Sequence, residues 1–218
     1  MDKDLQITIF RTRHLRTQKH ICLMGDSIFD NDGYVLGEPG VIEQLRRSLP
    51  QGWSASKVAV DGDRIGHITE QLENVPTHTT HIFVSIGGND LRTFGHLLRE
   101  ITQGARLEQL IAAPLAEFEA SYGAMLDKLL QHGLPVTACT IYTAIPFAEP
   151  EMRNHAPAAI NAFNVRILQM AEARSVPILR LDKICAEKEG FAEISPIEPS
   201  SQGGQKIVDA ILQSFTAA

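Results

Sequence analysis

The chain has 218 residues, a formal charge of −6, 44% apolar residues and 21% charged residues. That is an ordinary globular composition, long enough for one sizeable core. The net negative charge argues against nucleic acid or an anionic membrane surface as a partner, because both attract basic patches. Three scattered cysteines, Cys22, Cys139 and Cys185, are too few for a disulfide framework and read as reduced packing residues. No apolar run approaches the ~20 residues of a membrane span, and Met1-Asp2-Lys3-Asp4-Leu5 lacks the apolar segment of a secretory signal. A cytoplasmic location is the expectation.

Strand-like and helix-like stretches alternate along the chain. Ile21-Cys22-Leu23-Met24 is a short apolar run that stops at Gly25, as a central strand does. Val41 to Leu49 has helical apolar spacing. Lys57-Val58-Ala59-Val60 reads as a second strand, and Ile65, Ile68 and Leu72 share a helix face. His81 to Ile86 is the clearest strand, apolar and β-branched. A long helical pattern from Leu107 to Leu130 contains Pro114, where a break or kink is expected. Leu134 to Tyr142 predicts a fourth strand, and Ala144–Ala156, with Pro146 and Pro150, predicts a surface loop bordering a pocket. Ala158 to Ala173 is helical, Val176 to Leu181 is a fifth strand, and Gly204 to Phe215 is a closing helix.

Nearly continuous apolar strands alternating with helices imply a parallel sheet covered on both faces. The expectation is an α/β protein, a three-layer α/β/α sandwich with a five-stranded parallel sheet. No repeat, low-complexity tract or long linker divides it, so residues 1–218 are expected to form one domain with its core at about 20–215.

Ligand sites of open parallel sheets gather at the carboxyl ends of strands. Ser27, in Gly25-Asp26-Ser27, falls just after the first strand. Read alone, that tripeptide is equally a turn or a helix N-cap. Gly62 ends the second predicted strand, and Asn89, in Gly87-Gly88-Asn89-Asp90, follows the third. One edge of the sheet thus presents a hydroxyl, a backbone N–H and a side-chain amide. Acyl transfer needs that set: a nucleophile, with donors around the oxygen that becomes negative.

Together with Ser195-Pro196-Ile197-Glu198-Pro199-Ser200 near the end, these motifs resemble the SGNH (GDSL-type) hydrolases over about residues 20–212. The resemblance implies a flavodoxin-like fold that hydrolyses small ester or acyl substrates without a cofactor. It implies Ser27 as nucleophile, with the Ser27 N–H, the Gly62 N–H and the Asn89 side chain as the oxyanion hole. The family's last motif normally reads Asp-x-x-His-Pro, its His being the base. Here the Asp position holds Ser195 and the His position holds Glu198, and residues 176–218 contain no His at all. The Ile197-Glu198-Pro199-Ser200 ending, with Phe29-Asp30-Asn31 after the serine, resembles an atypical subgroup that has Glu in place of His.

An imidazole of pKa near ~6.5 suits both halves of proton transfer at neutral pH. A carboxyl near ~4.3 is a weaker base by about two units, a gap that desolvation narrows. Three arrangements stay open. Glu198 is the base, with Ser195 at most orienting it. Alternatively His67, His96, His155 or Asp30 reaches the serine. In the third, hydrolysis is lost and a catalytically silent protein binds an acylated or carbohydrate ligand.

Other ligands fit less well. Asp26, Asp30 and Asp32 would repel a flavin phosphate. Asp30-Asn31-Asp32-Gly33 hints at a calcium loop but lacks the twelve-residue pattern. His78 and His81 lack a third metal ligand at a telling spacing. No metal site is expected.

Overall fold

The computed structural model describes residues 18–95, 97, 106–143 and 150–216, with backbone alone for 150–152. Five strands form one parallel sheet: β1 (His20–Gly25), β2 (Ser54–Lys57), β3 (His81–Ser85), β4 (Val136–Cys139) and β5 (Ile178–Leu179), in spatial order β2-β1-β3-β4-β5. The helices between them are α1 (Val41–Ser48), α2 (Ile68–Glu73), α3 (Gly88–Arg92), α4 (Leu107–Gln131), α5 (Pro150–Ala173), α6 (Leu181–Ile184) and α7 (Ser201–Ser214). Among the described residues no helix is long and apolar enough to cross a membrane.

The two-residue period of β1 builds the three layers. Cys22 and Met24 point to one face, where Ile82 and Val84 join Phe118, Tyr122 and Leu126 of α4 and Phe163 and Ile167 of α5. Ile21 and Leu23 point to the other, where Phe83 meets Val41 and Leu45 of α1 and Ile207, Val208 and Ile211 of α7. Both faces are thus buried under helices, which is why these strands read as unbroken apolar runs. The order places β1 between β2 and β3, so successive connections leave β1 in opposite directions. The crevice this opens lies beyond the carboxyl ends of β1 and β3.

Three expectations are corrected. The second strand is Ser54–Lys57, three residues upstream of the apolar run that suggested it. As an edge strand it pairs only with β1, so it needs little apolar character. Val58, Ala59 and Val60 instead cross the end of the sheet, donating their N–H groups to Leu23 and Gly25 carbonyls. The long helix α4 runs unbroken through Pro114, because Ile111, Phe118 and Tyr122 bury its inner face and offset one missing ladder bond. The predicted loop at 144–156 is helical from Pro150 onward. Pro150 occupies the first helical position, where its missing N–H costs nothing. Residues 144–149 lie outside the described residues.

Candidate active site

β1 ends at Gly25 with φ +126°, and a Cβ there would sit 1.7 Å from the Ser85 carbonyl oxygen. Only glycine lets β1 turn this close to β3. The chain then folds back on itself: Asp26 N–H donates to Ser85 O (3.0 Å), while Phe29 and Asp30 N–H groups both donate to Asp26 O (3.1 Å each). Phe29 is fully buried and pins this turn to the core. Ser27 is thereby held at the strand end, 7% exposed, and its hydroxyl donates to Glu198 Oε1 at 3.2 Å.

Glu198 reaches the serine from a loop 171 residues later in the chain. It is 3% exposed, and its Oε2 has no hydrogen-bond partner among the described residues. The loop is fixed at several points. Ala192 N–H donates to Glu198 O (2.9 Å), Phe191 and Pro199 form an antiparallel bridge, and Ser200 caps α7 by accepting from Gly203 N–H (3.0 Å). Asn31, 0% exposed, joins this loop to the serine turn. Its Nδ2 donates to Pro199 O (3.0 Å) and its Oδ1 accepts from Val41 N–H at the start of α1 (2.9 Å). Asn31→Leu leaves both backbone groups buried without partners, at about 1–3 kcal/mol each. Urea unfolding should show a loss of roughly 2–6 kcal/mol for this variant.

The Gly62 turn is bonded to the serine turn through Asp30. Gly62 has φ +82° and open space around it, so its backbone conformation alone calls for glycine. Asp61 N–H donates to Asp30 Oδ2 (2.9 Å) in the serine turn, and Asp63 O accepts from Asn89 Nδ2 (3.0 Å). Asn89 sits in the first turn of α3. One of its amide hydrogens is used on Asp63, which leaves the other. Among the described residues, neither the Ser27 N–H nor the Gly62 N–H has an acceptor.

Charge is managed closely here. Burial pushes the Asp26 carboxyl up to about 8, and the Asp90 and Glu198 charges push the same way against the Ile28 N–H that donates to Asp26 Oδ1 (3.2 Å). Asp26 is therefore mainly neutral at pH 7. Burial also raises Asp90, which accepts from Ile65 N–H (3.2 Å). Tyr34 donates to Asp61 Oδ2 (2.7 Å), and that bond, ahead of burial, pushes its phenol up to about 12. Tyr142 is buried, its hydroxyl has no partner among the described residues, and burial holds it well above the usual phenol range.

Of the four residues expected from the sequence, Ser27 and Glu198 meet directly, and the turn holding Gly62 is bonded to Asn89. None of the other candidate bases among the described residues is bonded to Ser27. His67 is exposed and faces Asp63 Oδ1 (3.1 Å) and the Arg64 N–H (3.1 Å). Asp30 is engaged by Lys57 and the Asp61 N–H. His155 lies half-buried on α5, with no bond to Ser27. His96 lies outside the described residues. Ser195 makes no hydrogen bond to Glu198 among them.

The hint of a calcium loop is resolved by Lys57, whose ammonium bridges Asp30 and Asp32 (2.8 Å to Asp32). His78 packs on His20 and His81 on Phe215, so the two histidines engage different rings. Among the described residues no group of three or more His, Cys, Asp or Glu could hold a metal. Sequence reasoning missed Gln71 and Lys57. The signal for Gln71 was its place among Ile68 and Leu72 on the apolar side of α2.

A doubly wound α/β sheet with a buried serine–carboxylate pair at its switch-point crevice defines the class of protein. The family model described as the GDSL-like lipase/acylhydrolase family matches residues 23–205, and the chain belongs to that family. Among solved structures, the chain is similar to the lipase Lip_vut3 from a goat rumen metagenome, with a TM-score of 0.68 at 20% identity over 90% of this chain and 97% of that one. It is also similar to an extracellular lipase from Streptomyces rimosus (TM-score 0.66, 17% identity, 90% and 99% covered). An acetyl xylan esterase, AlAXEase, gives a TM-score of 0.63 at 16% identity, with 89% and 98% covered. At these identities the likeness is one of fold. No curated protein sequence matches the chain.

Proposed function

We propose that this protein is a serine acyl hydrolase acting on a small ester or acyl group, with Ser27 as nucleophile and Glu198 as general base in place of histidine. The observation that carries this reading is the 3.2 Å hydrogen bond from Ser27 Oγ to Glu198 Oε1, between two buried side chains. Ser27 Oγ attacks the carbonyl carbon as Glu198 takes its proton. The developing oxyanion is received by the Ser27 N–H, the Gly62 N–H and the free amide hydrogen of Asn89. Glu198 then returns the proton to the leaving alcohol, and water activated by Glu198 releases the acyl group from Ser27. Every group in the cycle comes from this chain, and residues 1–218 act as one hydrolase domain.

Neutral Asp26 supports the reading electrostatically. A second ionised carboxylate beside Glu198 would repel the negative charge that grows on the substrate oxygen. The alternative of a silent pocket that holds an acylated or carbohydrate ligand is separated by a covalent probe. A fluorophosphonate should add one label per chain at Ser27, found by mass spectrometry of the tryptic peptide, and wild type should hydrolyse p-nitrophenyl acetate. Absence of both label and hydrolysis would overturn the hydrolase reading in favour of the silent pocket.

A further inference from the structure

Gln71 is 4% exposed, a polar side chain on the inner face of α2. Its Oε1 accepts from Gly25 N–H (2.8 Å), and its Nε2 donates to Gly25 O (2.7 Å) and to Asp63 Oδ2 (2.6 Å). Both amide hydrogens and the carbonyl are therefore used. By β1's last residue the β2 ladder has ended, so Gln71 supplies the acceptor for the Gly25 N–H and joins the Val60 N–H (3.1 Å) as a donor to Gly25 O. An apolar residue of this size would fill the space equally well but would leave the Gly25 N–H unpaired among the described residues. Packing alone does not ask for an amide here.

What Gln71 joins matters more than its burial. Gly25 precedes the serine turn by one residue, and Asp63 follows Gly62 directly. One side chain thus ties the strand carrying the nucleophile to the turn carrying an oxyanion donor. The same turn is held from two other sides, by Asp30 at the Asp61 N–H and by Asn89 at the Asp63 carbonyl. Of these side-chain ties, Gln71 is the one that reaches the backbone of β1, beside the main-chain bond from the Val60 N–H to Gly25 O (3.1 Å).

We propose that Gln71 is a positioning residue that fixes the Gly62 N–H against the Ser27 turn, so that the oxyanion hole is assembled before substrate arrives. This rests on the serine-hydrolase reading above. An oxyanion donor is effective only when held at the oxyanion's position, and losing one costs about 10²–10³-fold in kcat. Gln71→Met keeps the volume and removes all three bonds. Asp63→Ala cuts the tie to the turn and leaves Gly25 bonded, which covers the case in which Gln71→Met fails to fold.

Each variant should lower kcat for p-nitrophenyl acetate by about 30–300-fold, with KM within about threefold. The double variant should be no slower than the worse single one, since both break one tie. Amide hydrogen exchange at Asp61, whose N–H holds the Gly62 turn to Asp30 Oδ2 (2.9 Å), should quicken at least about tenfold, while Gly133 in the turn after α4 is unchanged. An unchanged kcat, multiplicative losses in the double variant or unaltered exchange at Asp61 would overturn the assignment. If wild type shows no Ser27-dependent hydrolysis, the hydrolase reading fails by itself, and the exchange at Asp61 still decides whether Gln71 holds the turn.

Discussion

Glu198→Gln should lower kcat for p-nitrophenyl acetate by on the order of 10³-fold, with little change in KM. Glutamine has the size of glutamate, and its Oε1 can still accept the Ser27 hydroxyl hydrogen. The ground-state arrangement therefore survives, while the ability to take a proton is lost. That separates base catalysis from packing, which a smaller substitution at this buried position would confuse. Ser27→Ala should reduce turnover to the level left by the oxyanion donors alone. The two single losses should not multiply in the double variant, because nucleophile and base act as one unit. A Glu198→Gln rate within about tenfold of wild type would remove Glu198 as base, and His155 and His67 would then be substituted in turn.

Asp26→Asn should make the protein more stable at alkaline pH and leave it nearly unchanged near pH 4. The folded protein holds the Asp26 proton up to about pH 8, against an ordinary carboxyl value of 3.8 in the unfolded chain. Between those values the folded state carries a proton that the unfolded state has released. Stability from this group is complete below pH 4 and is lost as pH rises toward 8, at about 1.4 kcal/mol per pH unit. Asparagine is neutral throughout and can still accept from the Ile28 N–H. Subtracting the variant's unfolding free energy from that of wild type should give a difference that falls by roughly 3 kcal/mol between pH 5 and pH 8. Urea titrations at half-unit pH intervals measure it. A flat difference would mean that Asp26 is ionised in the folded protein.

Both experiments turn on residues that the sequence displays in different ways. Ser27, Gly62, Asn89 and Glu198 are legible because each follows a strand or lies in a Gly- or Pro-bounded motif. Short-range order of that kind survives in one dimension. The neutral state of Asp26 is not legible, because it arises from burial and from Asp90 and Glu198, which lie far along the chain. Gln71 was equally hidden. Its place beside Ile68 and Leu72 marks the inner side of α2, but its bonding partners, Gly25 and Asp63, follow only from the closing of α2 over β1. Lys57 heads an apolar run in the sequence, yet it ends β2 and pairs with two aspartates of the serine turn.

The element boundaries divide along the same line. The central strands β1 and β3 were readable almost residue for residue, because burial on both faces demands unbroken apolar side chains. The edge strand β2 was displaced, since one neighbour and one lightly covered face place weak demands on its sequence. Proline misled in two ways: in α4 burial of the inner helix face outweighs the cost of Pro114, and in α5 Pro150 takes the first helical position, where it costs nothing.

By itself, then, the sequence determined the layered α/β architecture and the candidate nucleophile, because hydrophobic period and turn chemistry are local properties. Only the tertiary structure decided that Glu198 is the group bonded to Ser27, that Lys57 closes off the acidic loop, and that Gln71 ties strand to turn. Those are choices among hydrogen-bonding partners far apart in the chain. They are settled where β2 and β3 leave β1 on opposite sides and bring distant loops to one crevice.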